Sequence, residues 1–489
     1  MKLIDQGSTE YRPEYHFTPR KNWMNDPNGL VFFDGEYHLF FQYNPHGKDW
    51  GHMSWGHAVS TDLVHWDELP IAMPEREFMI FSGSVVVDWS NTSRLGDGVS
   101  PPLVALYTAY HPGHERQAQH LAYSHDRGRT WTDYPGNPVI DLDLEHFRDP
   151  KVFWHAASNA WVMVVALARE HKIEIYRSAD LTSWDLVSAF GPAGSTSGQW
   201  ECPDLIEVPI DGGAGTAWAL KVDVDRDFVC GGSGAQLFVG TFDGFVFTPD
   251  REHGHQIVDV GPDFYAAQSW SDLPEAAGGP LWIGWMSNHL TGKAYPTHPW
   301  RGAMTAPRQL RFKTAEEGLV LAQEPASLFQ AAVPAIEVEG VLAGGESLML
   351  GDLAEPFLGQ AVLTVQAGSH GTLLFAVDAE SGSGIRIAFD LDAREIHLRR
   401  GSHPDMEPEA FAAKSSNVLP GDEPLSIRIV NDRSSVEVFI GDGRQVLTAC
   451  YFAVGQSRTQ IVAEPGARFI LGSHNVPAYA TKLHAPVIR

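Results

Sequence analysis

The sequence predicts an all-β protein, a five-bladed β-propeller followed by a C-terminal β-sandwich. Three observations carry that prediction. Short strand-like runs fill residues 12–310, among them Ser84-Val85-Val86-Val87, Leu103-Val104-Ala105-Leu106-Tyr107 and Trp161-Val162-Met163-Val164-Val165. Clusters of Gly, Pro, Asn or Asp separate them, and no long stretch shows a 3.6-residue apolar period. Second, an internal repeat runs through this region. Ser60-Thr61-Asp62 precedes Trp66, Ser124-His125-Asp126 precedes Trp131, Ser178-Ala179-Asp180 precedes Trp184, and a weaker copy is Thr241-Phe242-Asp243 before Phe247. A polar Asp turn followed by an outer strand with an aromatic, recurring at roughly 50 to 65 residues, predicts about five four-stranded blades, with the aromatics packed between them. Third, from about residue 336 strands resume without the repeat. Ile385-Arg386-Ile387-Ala388-Phe389 and Leu425-Ser426-Ile427-Arg428-Ile429 alternate in polarity, as strands of a half-solvated sandwich do.

Taken in order, the chain opens its propeller at Trp23-Met24-Asn25-Asp26-Pro27-Asn28-Gly29. Apolar residues follow at once, Asp34-Gly35 supplies a tight turn, and Tyr37-His38-Leu39-Phe40-Phe41 returns. Asp26 is thus expected at the start of an ordered strand, where a carboxylate can be held rigidly. Two further acids begin other expected blades: Asp149 in Phe147-Arg148-Asp149-Pro150, and Glu201 in Trp200-Glu201-Cys202-Pro203. First strands of propeller blades line the central channel, so the three carboxylates are expected to converge at one mouth. Converging carboxylates suit glycoside hydrolysis, one as nucleophile or base and one as acid. The apolar neighbours Trp200 and Cys202 are expected to favour a protonated Glu201, and Arg148 to keep Asp149 ionised. The polar stretch around Glu316-Glu317-Gly318 and Glu324-Pro325 reads as the joint between domains. That divides the chain into a propeller at 12–310, a linker at 311–335 with one short helix over Ala326-Ser327-Leu328-Phe329-Gln330, and a sandwich at 336–489 to which no chemistry is assigned.

Composition narrows the function classes. The 489 residues are 43% hydrophobic and carry a formal net charge of −26. Such a surface disfavours nucleic acid and anionic membranes and is compatible with a neutral substrate. Three cysteines, Cys202, Cys230 and Cys450, argue against a disulfide framework and a Cys-rich zinc site. No run approaches a membrane span. The stretch from Met1 to Tyr15 is polar and has no apolar core of a signal peptide, so the chain as written reads as cytoplasmic, or as extracellular if a signal was removed.

These motifs together resemble glycoside hydrolase family 32, the invertases, inulinases and levanases. The likeness spans nearly the whole chain. It rests on Trp23 to Gly29, Phe40-Phe41-Gln42-Tyr43-Asn44-Pro45, Trp55-Gly56-His57-Ala58, Phe81-Ser82-Gly83-Ser84, Arg148-Asp149-Pro150 and Glu201-Cys202-Pro203, and in the C-terminal part on Asp432-Arg433-Ser434-Ser435-Val436-Glu437-Val438-Phe439. The resemblance implies a retaining enzyme acting on β-fructofuranosides. Asp26 would be the nucleophile, Glu201 the acid and then the base, and Asp149 a transition-state stabiliser with Arg148 beside it. No metal or cofactor is implied. Substrate contacts would fall to Asn25, Gln42, Trp50, Phe81 and Ser82. One departure is His289, which follows Trp285-Met286-Ser287-Asn288 where the family commonly has Trp; either His289 meets the sugar at the pocket wall or a nearby side chain takes the place of the missing Trp. The implied substrate is fructan, levan or inulin. Sucrose cleavage, fructosyl transfer and an inactive fructan-binding propeller are the rival readings.

Overall fold

The computed structural model describes residues 11–484 except 214, 251–253, 317, 353–357, 366–369, 379–382, 402, 404–405, 407–413, 419–424, 453–456, 464–467 and 473–480. The polar N-terminal stretch at 1–10 and the last five residues of the expected sandwich lie outside the described residues. Strands dominate, and among the described residues no helix is long and apolar enough to cross a membrane.

Five sheets follow one another between Asn22 and Pro325, each built on four strands in antiparallel succession, and the first, second and fourth carry a fifth short strand. Their first strands are Asn22–Phe33, Met79–Val87, Phe147–His155, Trp200–Pro209 and Tyr265–Ser269. Each first strand packs against the next, and the fifth packs against the first. Trp300–Arg301 adds a parallel pairing to Asn22–Phe33. The Asp34-Gly35 turn is a two-residue hairpin, with Phe33 opposite Glu36 and both turn residues at positive φ.

The repeat has a structural cause. Its Asp turns join the third and fourth strands of the first four sheets, as between Ser54–Ser60 and Asp67–Met73. Asp62 Oδ1 accepts the backbone N–H groups of Val64 and His65; Asp180 does the same for Thr182 and Ser183, and Asp243 for Phe245 and Val246. Trp131 meets Phe40 of the preceding sheet edge-on at 5.7 Å. The fifth sheet lacks the repeat. Its outer strands, Arg308–Ala315 and Gly318–Pro325, form a hairpin. Residues 311–315 and 318–325 therefore belong to that sheet and not to a linker. The polar Glu316 marks a hairpin turn, whose composition resembles that of an interdomain joint. The short helix is Ser327–Ala332.

Beyond it lie a seven-stranded and a six-stranded sheet. Leu363, Ile427 and Val438 of the first share one buried core with Leu373, Ile387 and Leu398 of the second. Strict alternation in Glu395–Arg400 leaves one face buried and one exposed.

A buried ionic network ties the two regions together. Arg308 reaches Asp259 at 3.0 Å and Glu437 at 2.6 Å. His16 lies between Asp432 at 2.9 Å and Glu437 at 2.8 Å. The acids of the C-terminal signature are thus docking groups. Burial opposes charge on His16, but hydrogen bonds to Asp432 and Glu437 outweigh it and raise its pKa to about 9. A histidine raised on folding contributes stability that is complete below its unfolded pKa of about 6.5 and is lost as pH rises towards about 9. The melting temperature should therefore fall across that window, and His16→Gln should flatten the slope. An equal slope in the variant would rule His16 out as its source.

Candidate active site

Every first strand carries an irregularity at the same level. Register shifts lie between Met24 and Pro27, Ile80 and Gly83, Arg148 and Lys151, Glu201 and Asp204, and Tyr265 and Gln268. A bulge breaks the pairing locally and re-aims side chains. Asp26, Phe81 and Ser82, Asp149, and Cys202 all sit in or at these bulges, with Glu201 at the edge of its own. Asp149 and Cys202 adopt positive φ, 68° and 46°, conformations that cost energy in non-glycine residues and cluster at functional sites. Gly29 follows in the first strand at φ 53°, where a Cβ would lie 2.7 Å from the Phe40 ring. The motif thus ends in glycine for want of space.

The bulges bring the ten sequence-predicted residues around one cavity of about 290 Å³. Asn25, Asp26, Gln42, Trp50, Phe81, Ser82, Arg148, Asp149, Glu201 and His289 all line it. Asp26 is held at both oxygens. Asn25 Nδ2 donates to Oδ1 at 2.9 Å and Ser82 Oγ to Oδ2 at 2.6 Å, and Trp23 Nε1 holds Asn25 in turn at 2.7 Å. Gln42 donates to the Ile80 carbonyl at 3.0 Å. The Trp50 edge meets Phe81 at 5.9 Å, and Phe81 stacks on Tyr110 at 4.7 Å, making an aromatic rim. His289 stays exposed, with its ring edge-on to Tyr265 at 4.6 Å.

The expected electrostatic asymmetry is reversed. Arg148 does not spend its charge chiefly on Asp149, whose nearest oxygen is 4.0 Å away. Its Nε and Nη2 both donate to Glu201 Oε1, at 3.1 and 2.8 Å, and Tyr265 Oη donates to Oε2 at 2.5 Å. Burial works against charge on Glu201, yet Arg148, His289 and Tyr265 together hold its pKa below the ordinary carboxylate value. Burial pushes Asp149 up to about 7, and the Glu201 and Asp26 carboxylates push the same way against Arg148. Adjacency in sequence misled because Arg148 and Asp149 point to different neighbours across the bulge. Burial therefore favours the neutral form at Asp149, and the Arg148 and Tyr265 contacts favour the ionised form at Glu201.

Sequence reading missed Tyr265 and Lys293, which with Trp285 and Asp225 complete the site or its lining. The rule that first strands begin at the channel mouth, applied to the fifth sheet, leads to Tyr265. Cys202 is a strut: its N–H donates to Asp149 Oδ2 at 2.9 Å, and its buried thiol lies 3.5 Å from Asp26. Tyr265→Phe removes a donor that favours ionised Glu201. It should move the alkaline limb of the kcat/KM profile to higher pH and lower kcat by roughly tenfold. An unmoved limb would mean that Tyr265 does not set the proton affinity of Glu201.

Carboxylates gathered from separate sheets at a largely buried site, with an aromatic rim and amide and hydroxyl donors, form the equipment of a carbohydrate-cleaving enzyme. The Glycosyl hydrolases family 32 N-terminal domain matches residues 16–325 and the family's C-terminal domain residues 342–475. The chain belongs to glycosyl hydrolase family 32 and is a glycoside hydrolase. It is 44% identical over 456 residues to a levanase of Bacillus subtilis, spanning 90% of this chain and 66% of that protein. It is 40% identical to an extracellular exo-inulinase of Aspergillus awamori, spanning 90% and 89%. The solved structure of exo-inulinase from that organism superposes with a TM-score of 0.85 at 36% identity, covering 95% of this chain and 98% of that one. A fructofuranosidase of Schwanniomyces occidentalis complexed with fructose gives a TM-score of 0.83 at 34% identity, covering 96% and 100%.

Proposed function

We propose that the chain is a retaining β-fructosidase that releases fructose from the ends of fructan chains, levan or inulin. The observation that carries this reading is the meeting of Asp26, Asp149 and Glu201, from three separate sheets, in one small cavity walled by hydrogen-bonding and aromatic side chains. About 290 Å³ lies at the small end of ligand pockets and suits a terminal sugar better than the middle of a polymer. The relatives named levanase and exo-inulinase support the polymeric substrate over sucrose.

On this reading Asp26 attacks the anomeric carbon of the fructosyl unit. The bond from that carbon to the leaving oxygen breaks, and Glu201 supplies that oxygen's proton. Water then attacks the same carbon and gives its proton to Glu201, and Asp26 departs as a carboxylate. The proton must first reach Glu201. Sugar hydroxyls donating to Asp149 favour its ionised form, and a charged Asp149 raises the proton affinity of Glu201. Substrate binding thus favours an ionised Asp149 beside a protonated Glu201. Asn25, Gln42 and Ser82 offer hydrogen bonds, Arg148 positions the acid, and Trp50, Phe81 and His289 form the rim.

The five sheets are the blades of one closed propeller at about residues 12–325. What supports closure is the cyclic packing of the first strands and the Trp300–Arg301 pairing on the first sheet. Residues 336–489 form the second domain. A relative named extracellular and a polymeric substrate favour action outside the cell.

A product time course on levan, inulin and sucrose tests the function. Fructose alone from the earliest time, faster from polymer, is expected. An early ladder of oligosaccharides would overturn terminal attack, and sucrose as the preferred substrate would overturn the fructan reading.

A further inference from the structure

Tertiary folding brings together three donor side chains that no sequence spacing connects. His46, His52 and Glu75 place one ligand atom each within 4.8 Å of one another. His52 Nδ1 lies 2.8 Å from Glu75 Oε2, and the His46 ring stands edge-on to His52 at 5.1 Å. An ion pair alone accounts for His52 and Glu75, but not for the third donor turned to the same point. The backbone that carries the three is pinned. Asn44 Oδ1 accepts the His46 N–H at 2.8 Å while its Nδ2 donates to the Asp49 carbonyl at 2.7 Å. Ser54 Oγ donates to the His52 carbonyl at 3.2 Å and accepts the Glu75 N–H at 2.8 Å, tying both segments to one hydroxyl. Both histidines are exposed, which leaves an ion an open path and room for water as a fourth ligand.

We propose that His46, His52 and Glu75 form a binding site for a divalent transition metal of the zinc class. Two imidazoles and one carboxylate suit Zn²⁺, Ni²⁺ or Cu²⁺ and not Ca²⁺ or Mg²⁺, which prefer all-oxygen sets. A tetrahedral zinc ion with ligands about 2.0 Å away holds donor atoms about 3.3 Å apart. The donor atoms, now within 4.8 Å of one another, draw closer to reach that spacing when an ion binds. The site lies on chain segments that lead to the substrate rim. His46 and His52 flank Trp50 in sequence, and Glu75 precedes the strand Met79–Val87 that carries Phe81 and Ser82. An ion bridging these segments fixes the Trp50–Phe81 edge of the cavity. A rim already ordered loses less freedom when sugar binds, so occupancy lowers KM and leaves kcat unchanged. This coupling rests on the fructan reading; the metal site does not.

The full chain, stripped with chelator, is titrated with Zn²⁺ by calorimetry and with Co²⁺ by visible absorption. Wild type should bind one equivalent at this site, with a tetrahedral cobalt spectrum. His52→Ala and His46→Ala should each weaken that binding by about tenfold or more, while metal-free activity stays at the wild-type level. Zn²⁺ should lower KM for inulin in wild type and leave His52→Ala unaffected. Absence of binding, or equal affinity in both variants, overturns the site. Binding that is lost in the variants but leaves KM unchanged overturns only its coupling to the rim. Because calorimetry and absorption need no turnover, failure of the fructosidase reading would leave the binding result interpretable.

Discussion

Asp26→Asn should lower fructose release by about 10⁴-fold or more, with the fold intact. The substitution keeps shape while removing the attacking carboxylate. Ser82 can still donate to the remaining oxygen, so the bulge between Met24 and Pro27 keeps its support. The loss should fall on kcat, because the fructosyl–enzyme bond cannot form, while affinity for substrate changes little. A mechanism-based fructosyl trap should label wild type at Asp26 and leave the variant unlabelled, as read by peptide mass. Activity within about a hundredfold of wild type, or a label on Asp149, would remove Asp26 from the nucleophile's role.

For Glu201→Gln the expected loss is roughly 10²- to 10⁴-fold in kcat on fructan, and it should depend on the leaving group. A natural sugar leaving group needs a proton at its oxygen. Fructosyl fluoride does not, so the variant should retain much of its rate on the fluoride. The amide also removes the nearest negative partner of buried Arg148 and leaves it only the more distant Asp149 at 4.0 Å. A melting curve must therefore accompany the kinetics to separate lost chemistry from lost stability. Equal losses on fructan and fluoride in a fully folded variant would show that Glu201 acts by positioning and not by proton transfer.

Much of this site is legible in the linear chain. Asp26, Asp149 and Glu201 each stand one or two residues before a proline, at the head of a strand, and the Asp-turn repeat says that such heads recur around a ring. Local physics carries those signals: proline limits pairing, Asp caps turns, and alternation reports which face is buried. The hairpin turn at Glu316 is less legible. A polar turn within a sheet and a polar joint between domains have the same composition, and only the pairing of Arg308–Ala315 with Gly318–Pro325 separates them. Tyr265 lacks a motif of its own; its role depends on a carboxylate from another sheet.

By itself the sequence determined the strand content, the turn positions, the first-strand carboxylates and the acidic surface, because these follow from propensity, period and composition. Tertiary structure decided which carboxylate Arg148 serves, which carboxyl burial favours in the neutral form, why Glu437 is a docking group and how His46, His52 and Glu75 meet. Each of those depends on distance and burial between residues far apart in the chain. Coulomb energy and desolvation act through space, and neither leaves a mark in local residue order.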